Sequence, residues 1–165
     1  MAKQVDVRNL GELGFHLQKI VTRLTSNQDL IRYLYYTDKD PLESTKKNLD
    51  IKDVFNSHIK IVPVVNIPEQ DHSILSIVVA KGNTMSQNTE FIDLYLTIEI
   101  FVPITQWVLK SENLRPFLII GEISKSLSGK VISGLGKLDL LEFSANFFTE
   151  EMGSYKMYYR VTQYN

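Results

Sequence analysis

Histidine is the residue type in this chain with the widest chemical use, as a general base or as a metal ligand. The sequence has three, His16, His58 and His72, which fall in a predicted helix, at a predicted strand start and in a predicted loop. They lack the spacing that places two imidazoles on one helix face, and no His-Glu-x-x-His sequence is present. The sequence therefore predicts surface or locally bonded histidines and no zinc or iron site.

Two other patterns resemble reactive motifs but lack a part that the chemistry requires. Ser-Thr-Lys-Lys at residues 44–47 matches the Ser-x-x-Lys of acylating enzymes, yet it lies in a charged segment rather than at a helix start. Residues 129–134 carry the two glycines of a phosphate loop, but Leu135 stands where a lysine must reach the phosphates. Gly-Leu-Gly-Lys at 134–137 runs into a predicted strand, so no helix N-terminus is available there. We predict no nucleotide site.

Neither carboxylates nor cysteines form a reactive site in this sequence. Asp93 and Glu99 share one face of a predicted strand, but six residues of strand separate them by roughly 20 Å, too far for a glycosidase pair. We expect both to be solvated or paired across strands. The chain has no cysteine, which excludes a thiol nucleophile, a disulfide and a thiolate metal site. No catalytic, cofactor-binding or metal-ligating residue is predicted, and we expect a protein that is not an enzyme.

Length and charge limit the class of the protein and its partners. Its 165 residues, 44% hydrophobic and 22% charged, are typical of one globular domain, which we place at residues 1–165. Eighteen basic residues balance 19 acidic ones, so nucleic-acid binding is not expected as the main activity. The sequence has no apolar leader and no window near ~18 apolar residues, so we expect neither secretion nor membrane contact, and synthesis in a cytoplasm.

The first part of the chain has helical periodicity. From Asn9, apolar residues at steps of three and four mark one face of an amphipathic helix, with Asn9 as its cap and Glu12 at capping-box spacing. A second helix is predicted to start at Ser26 or Asn27 and to stop near Thr37, because an Asp-Lys-Asp-Pro turn follows.

The middle of the chain changes to strand patterns. A brief helix is predicted within the polar segment 42–57, and β-branched runs at 59–65 and 73–80 follow it. The clearest strand is 91–102, where aliphatic residues alternate with polar and aromatic ones, which indicates an antiparallel strand with one buried face. Residues 82–89 contain nothing that must be buried, and we predict a long hairpin loop there.

The last part predicts a helix and a closing hairpin. Pro116 suits the first turn of a helix that Gly129 ends and that lies across the aliphatic face of the sheet. Residues 135–148 and 155–164 have the character of two strands. The predicted fold class is α+β, with an antiparallel or mixed β-sheet of about five strands, N-terminal helices and one helix packed across the sheet.

Aromatic residues are the remaining candidates for binding. The chain has eight Tyr, eight Phe and one Trp. Two groups of tyrosines stand out, Tyr33, Tyr35 and Tyr36 at the end of the second helix and Tyr155, Tyr158 and Tyr159 on the last strand. Tyrosine combines apolar area with a polar tip, which suits both a small sheet core and a protein interface. The sequence leaves both roles open.

Three segments carry a family resemblance. Residues 30–42 end in Thr-Asp-Lys-Asp-Pro-Leu, residues 114–130 begin Leu-Arg-Pro-Phe and run into Gly-Leu-Gly-Lys-Leu at 134–138, and residues 153–160 are Gly-Ser-Tyr-Lys-Met-Tyr-Tyr-Arg. Together with the predicted order of elements, they resemble the tail terminator or tail-completion proteins of tailed-bacteriophage necks. The resemblance spans about residue 10 to the end, and it implies no catalytic residue because architecture, not a reactive motif, unites that family.

The resemblance implies a structural virion protein that acts by binding. Such a protein would form a ring, typically a hexamer, that terminates or completes the tail tube and joins it to head-closure and connector proteins. DNA would at most pass through the lumen of the ring, and no membrane would be involved. The implied location is the neck of the virion, after assembly in the host cytoplasm. A ring built from repeated contacts uses two different surfaces on each subunit.

Candidate interface residues lie in two predicted loops and on the polar face of the sheet. We expect the loops 38–47 and 81–90 to reach axial or neighbouring partners, and the sheet face to contribute to subunit packing. The candidates are Asp38, Lys39, Asp40, Lys46, Lys47, Asn83, Thr84, Met85, Gln87, Asn88, Asp93, Tyr95, Glu99, Tyr158 and Arg160. Two alternatives stay open, another head–tail connector or adaptor ring, and a small cytoplasmic enzyme of unknown activity.

Overall fold

A computed structural model describes residues 7–64, 71–85 and 87–162 of the chain. Helices precede most of the strands there. The helices are α1 (Leu13–Thr25), α2 (Gln28–Tyr35), α3 (Ile51–Val54) and α4 (Arg115–Leu127), with 3-10 helices at Val7–Glu12 and Ile104–Gln106. The strands are β1 (Ile59–Lys60), β2 (Ile74–Met85), β3 (Asn88–Pro103), β4 (Val131–Ile132), β5 (Gly136–Phe148) and β6 (Met152–Thr162). The α+β prediction is confirmed.

The described strands form one six-stranded sheet in the order β1-β2-β3-β6-β5-β4. Strands β1 and β2 run parallel, and the other neighbours run antiparallel. The sheet is therefore mixed, and its six described strands, four of them long, roughly fit the prediction of about five strands. Because β3 and β6 are neighbours at its centre, residues far apart in sequence, such as Ile98 and Met157, lie opposite each other.

The core lies between the sheet and the helices. The aliphatic face predicted for residues 91–102 is buried, with Ile98, Ile100 and Val102 fully shielded from solvent. Buried side chains of α1 and α4, including Ile20 and Ile123, belong to the same cluster. Each such side chain contributes about 1.5–3 kcal/mol when it leaves water. The prediction that α4 packs on the aliphatic face is confirmed.

Asn27 begins α2, as the sequence predicts, and also fastens that helix to α4. Its side-chain oxygen accepts a hydrogen bond from the Leu30 amide at 3.1 Å. Its amide nitrogen donates to the carboxylate of Glu122 at 3.0 Å and to the hydroxyl of Ser126 at 3.1 Å. One side chain thus satisfies a free amide of the first turn and holds two helices together.

The predicted cap of the first helix is wrong. Asn9 lies inside the 3-10 helix Val7–Glu12, and Glu12 occupies the position before α1 without a side-chain cap bond. Gly11 and Gly14 flank this junction, and glycine costs about 1 kcal/mol relative to alanine in a helix. The glycines explain why the tighter turn replaces the first turn of a regular helix.

The loop predicted at residues 82–89 is also wrong, because β2 and β3 continue through most of it. Asn83 lies opposite Asp93 and Thr84 opposite Ile92, beyond Leu94, the last β3 residue that pairs with β6 in the described part of the chain. β-branched threonines and cross-strand hydrogen bonds favour this extension. The result is a two-stranded arm, residues 83–93, that projects past the central sheet.

The strand predicted at 59–65 is shorter than expected over residues 59–64, and its last residue lies outside the described part of the chain. β1 ends at Lys60, and Pro63, which has no N–H to donate, follows it. Val64 then packs against Ile74, Phe101 and Met152 on the side of the sheet that faces away from the helices. A small second cluster therefore covers part of that face.

Candidate assembly surfaces

The side of the sheet away from the helices curls into a concave face. A cavity of about 290 Å³ opens on it, and its lining comes from β2, β3, β5 and β6 together with Pro63 and Val64. Four strands can line one cavity only if the sheet bends around it. The predicted interface residues Asp93, Tyr95, Glu99, Tyr158 and Arg160 all lie on this face, half-buried.

Glu99 is the centre of the polar network on the concave face. Its carboxylate accepts hydrogen bonds from the Asn146 amide at 2.6 Å and the Ser154 hydroxyl at 2.8 Å. Lys156, directly opposite on β6, adds an ion pair at 3.5 Å. Three side chains from two strands, β5 and β6, therefore satisfy this carboxylate of β3, which confirms that Glu99 is paired across strands.

Asp93 forms the second ion pair of this face. Arg160 of β6 donates to its carboxylate at 3.1 Å, and Tyr95 lies directly opposite Arg160. Tyr158 lies two residues from Arg160 along β6, opposite Thr97 on one side and Glu142 on the other. Because each of these two carboxylates is paired with a cation of β6, this part of the face presents polar contacts without a strong net charge.

The loop 38–47 is held in place by its own charges. Lys46 donates to the Asp38 carboxylate and to the Asp40 carbonyl, while Lys110 lies 3.3 Å from the Asp40 carboxylate. Partial burial by itself raises the pKa of Asp38, but hydrogen bonds from Lys46 and from the Asp40 amide outweigh it and lower the pKa. Lys39 and Lys47, two further predicted interface residues, are exposed on this ordered loop.

Beneath the loop lies Arg115, a fully buried guanidinium that sequence reasoning did not single out. It donates to the carbonyls of Gln106 at 2.9 Å, Tyr33 at 2.7 Å and Tyr36 at 2.6 Å, and also to that of Asp38. Burial lowers its pKa, yet arginine remains a cation. Carbonyls at the C-terminal end of α2 carry partial negative charge, which stabilises this cation and fixes where the loop begins.

The arm carries the remaining predicted interface residues. Asn83, Thr84 and Gln87 are exposed, and Asn83 adjoins the concave face through its neighbour Asp93. The side chains of Met85 and Asn88 lie outside the described residues. The interface role of the arm, of the loop 38–47 and of the concave face stays a prediction.

An aromatic patch on the helix side of the sheet was missed by the sequence reasoning. It consists of Trp107, Phe117, Phe143, Phe148 and Tyr155, with Tyr155 at its centre, 5.2 Å from the Phe117 ring and 5.9 Å from the Phe148 ring. Phe117, Phe143 and Phe148 are 44–50% exposed. Contiguous exposed aromatic surface is typical of binding sites between proteins.

The tyrosines divide between core and surface. Tyr33 and Tyr159 are buried, and the Tyr159 hydroxyl lies 3.1 Å from that of Ser128. Tyr155 is the member that reaches the aromatic patch. The signal for the patch was the run 140–148, which contains three phenylalanines, Phe143, Phe147 and Phe148.

Two of the three histidines come together although their sequence spacing did not predict it. The rings of His58 and His72 are 4.6 Å apart, and Nδ1 of His58 donates to the Ser73 carbonyl at 3.0 Å. Within residues 7–64, 71–85 and 87–162, no three His, Asp or Glu side chains form a group that could hold a metal ion.

Stability should fall below pH 6.5 because of His58. Burial lowers its pKa, His72 adds to this effect, and the hydrogen bond to the Ser73 carbonyl opposes it. The folded protein then binds fewer protons than the unfolded chain below the ordinary histidine pKa of about 6.5, which costs about 1.4 kcal/mol per unit of pKa difference. Thermal unfolding of the protein and of His58→Gln at pH 7.5 and 5.5 tests this. We expect a smaller loss of Tm in the variant, and equal losses would refute the assignment.

Comparisons with known proteins match the chain to a protein family. The model of the family described as YomW matches residues 27–161, from the cap of α2 to the next-to-last residue of β6. A comparison with curated proteins finds no match. Among the described residues, no helix is both long and apolar enough to cross a bilayer.

Proposed function

Because the chain belongs to the YomW family, which is phage-associated, we propose that it is a structural protein of the phage neck. In this proposal it forms a ring, with six subunits favoured, that terminates or completes the tail. The ring joins the tail tube to the head-closure or connector proteins, and DNA at most passes through its lumen. The protein acts by binding rather than by catalysis.

The observation that carries this proposal is the aromatic patch together with the arm. The patch exposes about half of each of three phenylalanine rings, and the arm projects beyond the strands that support the rest of the sheet. An isolated two-stranded hairpin is only marginally stable in water, so the arm gains stability when a partner covers it. A subunit with two dissimilar contact surfaces suits a ring.

Loss of the gene from the phage that encodes it tests the function directly. A tail that lacks its terminator has no stop signal and no surface for the head, so we expect separate heads and tails, with tails of irregular length, in electron micrographs. Separate heads with tails of normal length would favour the alternative of a connector ring. Fully joined, infectious particles would refute a role in the neck.

Deleting residues 83–88 should leave a folded domain yet abolish the joining of heads to tails. Gly82 and Leu94 remain opposite each other after the deletion, and the five residues 89–93 close the hairpin between them. Circular dichroism and thermal unfolding check the fold, and complementation of the gene-deleted phage checks joining. Lys52→Ser, which changes an exposed side chain on α3, is the matched control and should complement fully. Unchanged joining with the deletion would refute the role of the arm.

A further inference from the structure

Among the strands that the structure describes, two edges of the sheet are open over most of their length, at its opposite ends. We propose that copies of this chain associate by sheet extension, with β5 of one copy adding to β2 of the next. This inference rests on the proposed ring, and it names the surfaces through which the ring closes. Sheet extension uses main-chain hydrogen bonds for affinity and side chains for specificity.

The first edge belongs to β5. β4 pairs with it only at Gly136 and Lys137, and Leu138 exchanges hydrogen bonds with the backbone of residues 129 and 130. In the described chain no strand pairs with the outer side of β5 from residue 139 to residue 148. Leu138 directs its amide and carbonyl to this outer side. Successive residues of a strand direct their main-chain groups to alternate sides. With the register to β6, this places the amides and carbonyls of Leu140, Phe143 and Ala145 on the outer side as well.

The second edge belongs to β2. β1 covers it at Leu75 and Ser76, where the Leu75 amide donates to the His58 carbonyl at 2.7 Å. From residue 77 to residue 85, none of the described strands lies on that side of β2. Residues 80–84 are exposed, so solvent reaches this edge.

The directions of the two edge strands fit each other. β3 runs antiparallel to β2, β6 to β3, and β5 to β6. A second copy that continues the sheet in the same sense therefore places its β2 antiparallel to β5, which is the more stable pairing. Each contact joins two different surfaces. Repeated contacts therefore close into a ring if the rotation that relates one copy to the next allows closure.

Charge also favours this pairing. Lys81 lies opposite Tyr95, Tyr95 opposite Arg160, and Arg160 opposite Asp139. In an unstaggered extended sheet, residues 77–81 of one copy lie beside residues 139–143 of the next, a stretch in which both edges are open. Lys81 then comes to the level of Asp139, which pairs with Lys137 at 2.8 Å, and lies two residue pairs from the exposed Glu142. Lys81 is the sole charged residue of β2, and Glu142 is the sole charged residue of the run 140–148. Both belong to the concave face, so opposite charges meet on the same side of the extended sheet.

The composition of β5 argues against an edge built to stay free. Proteins protect such edges with prolines, charged side chains such as lysine, β-bulges or covering segments. Residues 140–148 contain no proline and no lysine, and Leu141, Phe143 and Phe148 are 49–54% exposed. The bulges at Leu141 and Asn146 bend the strand without shielding these side chains. The aromatic patch borders the same edge, so a copy that pairs with β5 also covers apolar surface.

Phe143→Pro against Phe143→Ala isolates the contribution of the edge amide. Both variants lose the aromatic ring of Phe143, but only the proline variant also loses the outward N–H. Neither variant removes a hydrogen bond between β5 and β6. Light scattering over a range of concentrations should show oligomers for the wild-type chain and at least about tenfold weaker association for Phe143→Pro than for Phe143→Ala. Ile51→Lys, a similarly exposed apolar position on α3, should associate as wild type. Equal association of the two Phe143 variants, or a monomeric wild-type chain, would overturn the proposal.

A charge exchange tests which edges meet. Lys81→Glu and Glu142→Lys should each weaken association several-fold, and the double variant should recover most of the loss because every contact then carries the reversed pair. Absence of recovery would contradict the β5-to-β2 contact. The fate of the proposed function is decided separately by head–tail joining in the gene-deleted phage. Oligomers of this type in a phage that joins normally without the gene would support the contact and refute the neck role.

Discussion

Replacing Arg115 with methionine should lower the free energy of unfolding by about 3–5 kcal/mol. Methionine fills a similar volume but donates nothing, so the buried or partly buried carbonyls of Tyr33, Tyr36, Asp38 and Gln106 lose their shared donor. Urea unfolding followed by circular dichroism measures the loss as a lower midpoint. The Asp38 region should also become accessible to proteases, because the guanidinium fixes the start of that loop.

Arg23→Met is the matched control for this change. Arg23 is exposed on α1 and its Nε donates to the Ser126 carbonyl at 3.2 Å. We expect a loss within about 1 kcal/mol, as for most surface substitutions. If Arg115→Met shifted the midpoint no more than this control, the guanidinium would not be the device that joins α2, the loop and α4.

Gly153→Ala should destabilise the protein by about 1–3 kcal/mol and disturb the aromatic patch. A Cβ at this buried position of β6 would lie 2.5 Å from Cζ2 of Trp107 and 3.0 Å from the ring of Phe148. Trp107 must then move away from the Val102 carbonyl, to which its Nε1 now donates at 3.0 Å. Because the chain has a single tryptophan, its fluorescence spectrum reports this movement directly.

Gly121→Ala provides the opposite expectation for the same exchange of residues. Gly121 lies within α4, and a Cβ there meets no atom within 4 Å. Alanine in a helix interior is favoured over glycine by about 0.5–1 kcal/mol, so this variant should be more stable than the wild type. A Gly153→Ala protein as stable as Gly121→Ala, with unchanged tryptophan emission, would show that the patch does not depend on close packing over β6.

The fold class could be predicted because its signals are local. The alternation in β3, the Asn27 cap and the helix that starts near Pro116 each depend on a few neighbouring residues, and each is confirmed. The predicted loop at 82–89 failed because polar composition does not distinguish a solvated loop from a solvated strand pair. Cross-strand pairing, which decides between them, is not encoded in one segment.

The candidate surfaces were predictable only in part. The polar residues of β3 and β6 share a face because alternation is a local rule, and the structure brings them together as ion pairs. Arg115 and the aromatic patch were missed because their partners come from separate parts of the chain. Arg115 unites residues near 33–38 with residues near 106–115, and the patch unites β5, β6, α4 and Trp107.

The position of β6 at the centre of the sheet has a consequence for the nascent chain. β3 pairs with β6, but α4, β4 and β5 are all synthesised between them. Until β6 has been made, β3 has β2 as its partner on one side and exposes main-chain groups on the other. The β2–β3 hairpin, which has an aliphatic face, must therefore remain without its β6 partner during translation. This delay slows folding and exposes the hairpin to binding by other chains or by chaperones.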